Sequence, residues 1–206
     1  IYPCRPALTP IETIEEWPRD LMGLTLKNVA LSAFAEKNGK PKKLYKEQGE
    51  MLFTHFGISG PLVLSASCHI KDKDIQQCTA VIDLKPALSA EQLDARIQRD
   101  FAENLNRDFQ NGIRKLLPAK LIPVIIRLSG IAPDRKINGI TKEERRKFGE
   151  LIKAFPVRIS GFRPIDEAII TSGGVSVKEI DPKTMASKWA APPVLSCWMP
   201  RITTKC

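Results

Sequence analysis

The sequence predicts an α+β fold in which a small helical unit interrupts a mainly β body. Three observations lead there. Up to about Pro86 the chain is rich in β-branched and alternating residues, with turn signals at Asn38-Gly39, Gly49, Gly57 and Gly60. Between about Ser89 and Phe155 the apolar period lengthens to that of a helix, as in Leu93, Ile97, Phe101 and Leu105. From Val157 onward β character returns. The order β, α, β is that of an insertion into one body rather than of two independent domains.

The first part, residues 1–88, contains a strand over residues 24–34 whose apolar parity changes near Asn28. A bulge, or a strand covered on both faces, accounts for that change. Residues 44–54 predict two short strands turning at Gly49, and residues 78–84 another strand that stops at Lys85-Pro86. Pro61-Leu62-Val63-Leu64-Ser65-Ala66-Ser67 predicts a short helix with Pro61 in its first turn and Ser59 as its cap. Its free amides would face the Phe56-Gly57-Ile58-Ser59-Gly60 turn, making a cradle for an anion or a carbonyl oxygen. Equally, Gly57 and Gly60 serve only a tight strand-to-helix turn.

The second part, residues 89–155, opens with a capping-box pair, Ser89 and Gln92, ahead of an amphipathic helix. A second pair, Thr141 and Glu144, precedes Phe148, Leu151 and Ile152 on one helical face. Residues 113–117 and 121–128 predict two shorter helices, separated by Pro118 and Pro123. The charged faces of this small helical subdomain read as solvated surface. In the third part, residues 156–188, Val157 and Ile159 lead into a Ser160-Gly161-Phe162-Arg163-Pro164 turn, and residues 168–171 form an apolar run ending at Ser172-Gly173-Gly174. A divergent tail follows at 189–206.

With 43% hydrophobic residues among 206, the chain can bury a core. The longest apolar stretches, such as residues 121–128, fall short of the ~20 residues of a membrane span. No charged, apolar, small-residue order marks a secretory signal, so the expected compartment is the cytoplasm, with no membrane partner. Cys4, Cys68, Cys78, Cys197 and Cys206 are odd in number, irregularly spaced and without a Cys-x-x-Cys pair, the pattern of reduced thiols rather than of a disulfide framework or a zinc site. Cys68-His69, read as strand neighbours, point to opposite faces, which argues against a nucleophile and base. The net charge of +9 is spread through mixed-sign runs such as Lys142-Glu143-Glu144-Arg145-Arg146-Lys147, without interleaved aromatics. That spread disfavours nucleic acid and suits attraction of anionic substrates or of a nicotinamide cofactor's phosphates.

Two glycine-centred segments carry whatever chemistry the chain has. They are Gly49-Glu50-Met51-Leu52-Phe53-Thr54-His55-Phe56-Gly57-Ile58-Ser59-Gly60-Pro61 and Thr171-Ser172-Gly173-Gly174-Val175. Each sets glycines beside hydroxyl side chains, where a backbone can approach a planar or phosphorylated ligand. With Lys178-Glu179-Ile180-Asp181-Pro182-Lys183-Thr184-Met185, they resemble the HI0933-like (BaiN-like) family of bacterial FAD-dependent, NAD(P)-linked oxidoreductases, over about residues 6–188. The resemblance implies a β-barrel-like body bearing the helical subdomain, the whole inserted into a flavin-binding fold. It also implies that Thr171, Ser172, Gly173, Gly174 and Val175 lie by the flavin ring, where the chain re-enters the flavin domain. Thr54, Phe56, Gly57, Ser59 and Gly60 would face the substrate side of the same cleft.

His55 is the one histidine inside a matched motif and is the candidate catalytic acid or base, because imidazole exchanges protons near neutral pH. Packing against local backbone is its competing role. Arg163 is a candidate to hold an anionic substrate in its planar fork, or else an ordinary salt-bridge partner.

The chain departs from the family at two places. Among its twelve glycines there is no Gly-x-Gly-x-x-Gly, so the pyrophosphate anchor of a dinucleotide site is missing. Residues 189–200 hold three prolines, two tryptophans and no glycine where the family has a glycine-rich flavin loop. The chain is therefore expected to be the substrate-cleft or lid insert of a truncated flavoprotein, not competent for flavin binding or catalysis alone. FAD would belong to the full-length parent, with none bound to this chain alone. Its partners would be the missing FAD-binding domain, a small-molecule substrate and NAD(P)H. The alternatives are a non-catalytic binding or interaction module and an RNA-associated β-barrel, the latter resting on net charge alone.

Overall fold

The computed structural model describes residues 2–37, 39–70, 75 and 77–188. The tail at 189–206, and Asn38 of the first turn signal, lie outside the described residues. The elements run β1 (Tyr2–Ala7), β2 (Ile11–Thr13), α1 (Trp17–Asp20), β3 (Thr25–Lys37), β4 (Lys40–Phe53), β5 (Gly57–Ser59), α2 (Pro61–His69) and β6 (Cys78–Asp83). The helical subdomain follows as α3 (Ala90–Ala102), α4 (Phe109–Gly112), α5 (Ile122–Ser129) and α6 (Lys142–Lys153), before β7 (Phe155–Phe162) and β8 (Ile170–Gly174). Six strands close an antiparallel barrel in the order β2-β5-β4-β3-β6-β7, while β1 and β8 form a separate antiparallel ribbon. The expected α+β fold, a barrel body with an inserted helical unit, is the fold observed.

β3 shows how the sequence makes the barrel wall. Val29, Leu31, Ala33 and Ala35 point inward at every second position, and Leu26 is also buried. Odd and even positions can share a face because the register shifts between Leu26 and Val29, so the parity change at Asn28 is a bulge. β4 corrects the expectation of two strands turning at Gly49. It is one strand paired with β3 along its length, with Gly49 opposite Val29. Gly49 faces Leu62 on α2, which lies across β4; a Cβ there would make an ordinary contact at 3.7 Å, so the position neither turns the chain nor excludes a side chain.

Pro61 opens α2 as expected, but Ser59 does not cap it. The chain leaves β5 through Gly60, whose φ of +94° makes the turn, so Ser59 is still in the strand, opposite Leu52. Cys68 and His69 are therefore helical rather than strand neighbours. The Cys68 thiol points back toward the Leu64 carbonyl, and the His69 ring lies 5.2 Å from that of Tyr45. Tyr45 is buried and donates to the Glu47 carboxylate at 2.9 Å; burial first, then that carboxylate, pushes its pKa up to about 12.

In the helical subdomain both capping boxes form. Gln92 N–H donates to Ser89 Oγ at 3.2 Å, Glu144 N–H donates to Thr141 Oγ1 at 3.2 Å, and both return bonds are made. Two expectations need correction. Leu105 is exposed, because α3 stops at Ala102 and the Asn104 side chain donates to the Asp100 carbonyl, turning the chain away. The short helix expected at 113–117 lies instead at Phe109–Gly112. The later segment forms turns that bury Ile113, Leu116 and Leu117, since Pro118 disfavours helix at the residue before it. Phe109 packs edge-on between Phe101 and Phe148, with ring centroids 6.3 and 5.2 Å away. This core runs into the barrel through Ile152 and Leu84.

β7 continues through Ser160, Gly161 and Phe162, pairing with β2, so the expected turn begins only at Arg163-Pro164. Likewise Ser172, Gly173 and Gly174 belong to β8 rather than to a loop after it. Trp17 on α1 plugs one barrel end, its ring 4.7 Å from Phe155 and 6.0 Å from Phe53. Among the described residues no helix is long and apolar enough to cross a membrane.

Gly57 is where the barrel leaves no room for a side chain: an added Cβ would lie 2.4 Å from the Ile11 carbonyl oxygen. Gly57→Ala is expected to cost about 2–4 kcal/mol in urea unfolding. Gly130→Ala, at φ +70° with nothing within 4 Å, is the comparison and should cost about 1–2 kcal/mol. Equal losses would show that the contact with β2 does not govern closure.

Candidate functional site

The segment between β4 and β5 is a turn closed by its own hydrogen bonds. Thr54 N–H donates to the Gly57 carbonyl at 2.9 Å, and Gly57 N–H donates back to Thr54 Oγ1 at 3.2 Å. This turn lifts His55 to the surface, its ring edge-on to Phe56 at 4.8 Å. Gly57 and Ile58 pair with Glu12 and Ile11 of β2, fixing the turn to the barrel wall. Gly60 faces inward, where a Cβ would be 3.0 Å from the Leu52 nitrogen and the Met51 Cα. Both glycines thus have local packing reasons for being glycine.

Arg163 stands over this turn. Its guanidinium lies 4.7 Å from the Phe56 ring centroid, donates from Nη1 to Glu12 Oε1 at 2.8 Å and from Nε to Glu167 Oε2 at 2.9 Å, and also pairs Nη2 with Glu167 Oε1. Its fork is bracketed by two carboxylates and a ring, which holds its pKa above the ordinary arginine value and that of Glu167 below the usual carboxylate range. His55, Phe56, Gly57 and Arg163 therefore form one cluster with Glu12 and Glu167, two residues that sequence reasoning did not select. Glu167 was visible as an i+4 partner of Arg163; Glu12, distant in sequence, had no local signal.

The cluster sits at the root of the β1–β8 ribbon. Arg163 N–H donates to the Pro10 carbonyl at 3.1 Å and Ile169 N–H to the Leu8 carbonyl at 3.2 Å. Buried Thr9 ties this root to α2 by donating its N–H to Ser67 Oγ at 3.1 Å. Thr171 and Ser172 continue outward opposite Pro6 and Arg5, and Gly174 pairs with Tyr2. The two glycines of β8 differ. A Cβ on Gly173 would strike the Pro3 carbonyl oxygen at 2.3 Å, a demand of the ribbon itself. At Gly174, φ is +89° and no described residue lies within 4 Å of the Cβ position, so the ribbon's packing does not demand a glycine there. Val175 is exposed beyond it.

A family model described as the HI0933-like protein barrel and H2TH domain matches residues 5–170. The chain is 31% identical over 138 residues to a ribosomal RNA dihydrouridine synthase of Haemophilus influenzae, covering 67% of this chain and 32% of that protein. It is 26% identical over 153 residues to a 3-dehydro-bile acid delta(4,6)-reductase of Clostridium scindens, covering 71% and 36%. It is 25% identical over 189 residues to a ribosomal RNA dihydrouridine synthase of Escherichia coli, covering 91% and 44%. The chain thus spans less than half the length of these curated relatives.

A carboxylate whose pKa is lowered by folding contributes stability at neutral pH and loses it as pH falls through its folded value. Wild type is therefore expected to be more stable than Glu167→Gln at pH 7, with the gap closing below the ordinary carboxylate range. Urea unfolding from pH 7 to pH 3 checks this; a gap independent of pH would mean that the Arg163–Glu167 pair contributes nothing through charge. With its barrel, its inserted helices and its matched residues 5–170, the chain belongs to the HI0933-like family.

Proposed function

We propose that this chain is the substrate-side insert of a flavin-dependent, NAD(P)H-linked reductase of the cytoplasm, whose FAD-binding domain lies outside these 206 residues. Family membership carries the reading, and the β1–β8 ribbon supports it: the strands leading into and out of the barrel run side by side, as an inserted domain requires. Tyr2, Ile169, Val175 and Val177 are exposed on or beside that ribbon, an apolar face suited to cover by the flavin domain. Two of the matched relatives are named for making a dihydro-nucleoside and the third for reducing a double bond, so hydrogen addition across C=C is the shared class.

The residues present fit part of a flavin site. Gly174 permits close backbone approach to a ring, while the phosphate-binding glycines are not among them. When bound, the flavin supplies the hydride. His55, exposed at the ribbon root, would supply the proton taken up by the second carbon of the double bond as the first accepts hydride. Arg163 holds Phe56 and the turn that carries His55 through its bonds to Glu12 and Glu167.

The test is the visible spectrum of the protein expressed with its native flanking sequence, beside that of the 206-residue chain. A yellow parent and a colourless chain are expected. A parent that stays colourless after added FAD would overturn the reading and leave a binding module. In the yellow parent, His55→Ala is expected to slow single-turnover substrate reduction at least ~100-fold with flavin retained, and Gly174→Val to slow it as well. Unchanged rates would remove those roles.

A further inference from the structure

One basic run in the sequence, from Lys37 to Lys46, becomes an exposed arm in the fold. Lys37, Lys40, Lys42, Lys43 and Lys46 all lie on the β3–β4 hairpin, and all are exposed. None of the five forms an ion pair or side-chain hydrogen bond with the described residues. No acid falls between Lys37 and Lys46; Glu36, Glu47 and Glu50 flank the run, and Glu47 is engaged by the Tyr45 hydroxyl. β6 covers β3 only from Ala30 to Ala35, and β5 meets β4 only at Leu52 and Phe53, so the hairpin end projects past both neighbours. Lys37 stands directly opposite Lys40, a like-charge pair that weakens a hairpin unless an anion relieves it.

The other basic concavity is a weaker candidate. A cleft of about 350 Å³ in the helical subdomain is lined by Arg107, Arg114 and Lys136 with Asp108 and Asn111. Its Lys136 is already 2.8 Å from the Asp108 carboxylate, so part of its charge is spent within the fold.

We infer that the β3–β4 hairpin is an arm that grips the phosphate backbone of RNA. The inference deepens the reading above by naming RNA, rather than a small acid, as what this protein docks. The chemistry is that of backbone contact. Five ammonium groups on a projecting two-stranded arm meet successive phosphates, and the arm's aromatics, buried Tyr45 and half-buried Phe34, leave phosphate rather than base as the contact. Binding should be insensitive to base sequence and steeply dependent on salt. Five neutralised phosphates on single-stranded RNA steepen the slope of log K against log salt by about 3.5. Lysines on an open strand edge also block sheet extension, a role that requires no RNA.

The probe is a fluorescein-labelled single-stranded RNA, titrated by anisotropy with the protein in its native flanking sequence at several salt concentrations. Replacing all five lysines with Gln is expected to weaken binding at least tenfold and to flatten the salt slope, while the all-Arg variant retains both. In unmodified protein, RNA should shield these lysines from acetylation, read by mass spectrometry; this readout stands even if the Gln variant misfolds. Equal acetylation with and without RNA, or unchanged affinity of a folded Gln variant, overturns the inference, as does aggregation as its only effect. Loss of binding to phosphatidylserine vesicles with RNA affinity intact would also overturn it. None of these readouts uses flavin. A colourless protein that grips RNA through the hairpin sinks the reductase reading alone, and a yellow protein indifferent to these lysines sinks this inference alone.

Discussion

Closure of the barrel depends on β2, a three-residue strand that pairs with β5 through Ile11 and Glu12 along one edge and with β7 along the other. So short a strand has little pairing energy of its own, and it holds because Ile11 is buried between its neighbours and because Gly57 lets the β5 backbone come within contact of the Ile11 carbonyl. Much else hangs from this seam. Trp17 fills the barrel end just after it, Glu12 projects from it to Arg163, and Thr9 just before it is tied to α2. The candidate site is thus an outgrowth of the closure.

The Arg163 cluster is best understood as a positioning device. Ion pairs with exposed partners contribute on the order of 0–1 kcal/mol each. Burying side chains such as Phe53, Phe155 and Ile58 contributes about 1.5–3 kcal/mol apiece. What Arg163 supplies is geometry. It joins the end of β7, the middle of β2, the turn before β8 and the ring of Phe56 in one hydrogen-bonded and stacked unit. That unit orients both the His55 turn and the ribbon, which share a root.

The parts of the fold legible in the sequence were those with a period or a local chemical signature. The bulge near Asn28 showed as a change of parity, and both capping boxes showed as paired side chains three residues apart. The unreadable parts were set by distant contacts. β2 is too short to display alternation, and Gly49 looked like a turn because nothing local reveals the helix lying over it. Leu105 kept the helical spacing of α3, but the Asn104 side chain ends that helix first. The site followed the same rule: His55 and Arg163 stood out by residue type, whereas Glu12 reaches Arg163 only through the barrel. The basic run at residues 37–46 was legible as composition, but only the pairing of β3 with β4 shows that it stands exposed on a projecting hairpin.

The β2–β7 seam also has a consequence in time. Ile11 is made early on the ribosome, and its partner Phe162 appears roughly 150 residues later; at about 5–20 residues per second that interval is on the order of 8–30 s. During it β3, β4 and β6 can pair as neighbours and the helices can collapse locally, but the sheet stays open, with the edges meant for β7 bare. The nascent chain is therefore most exposed to wrong strand partners before β7 emerges, and assembly of the barrel is late and cooperative because its first strand waits for its last.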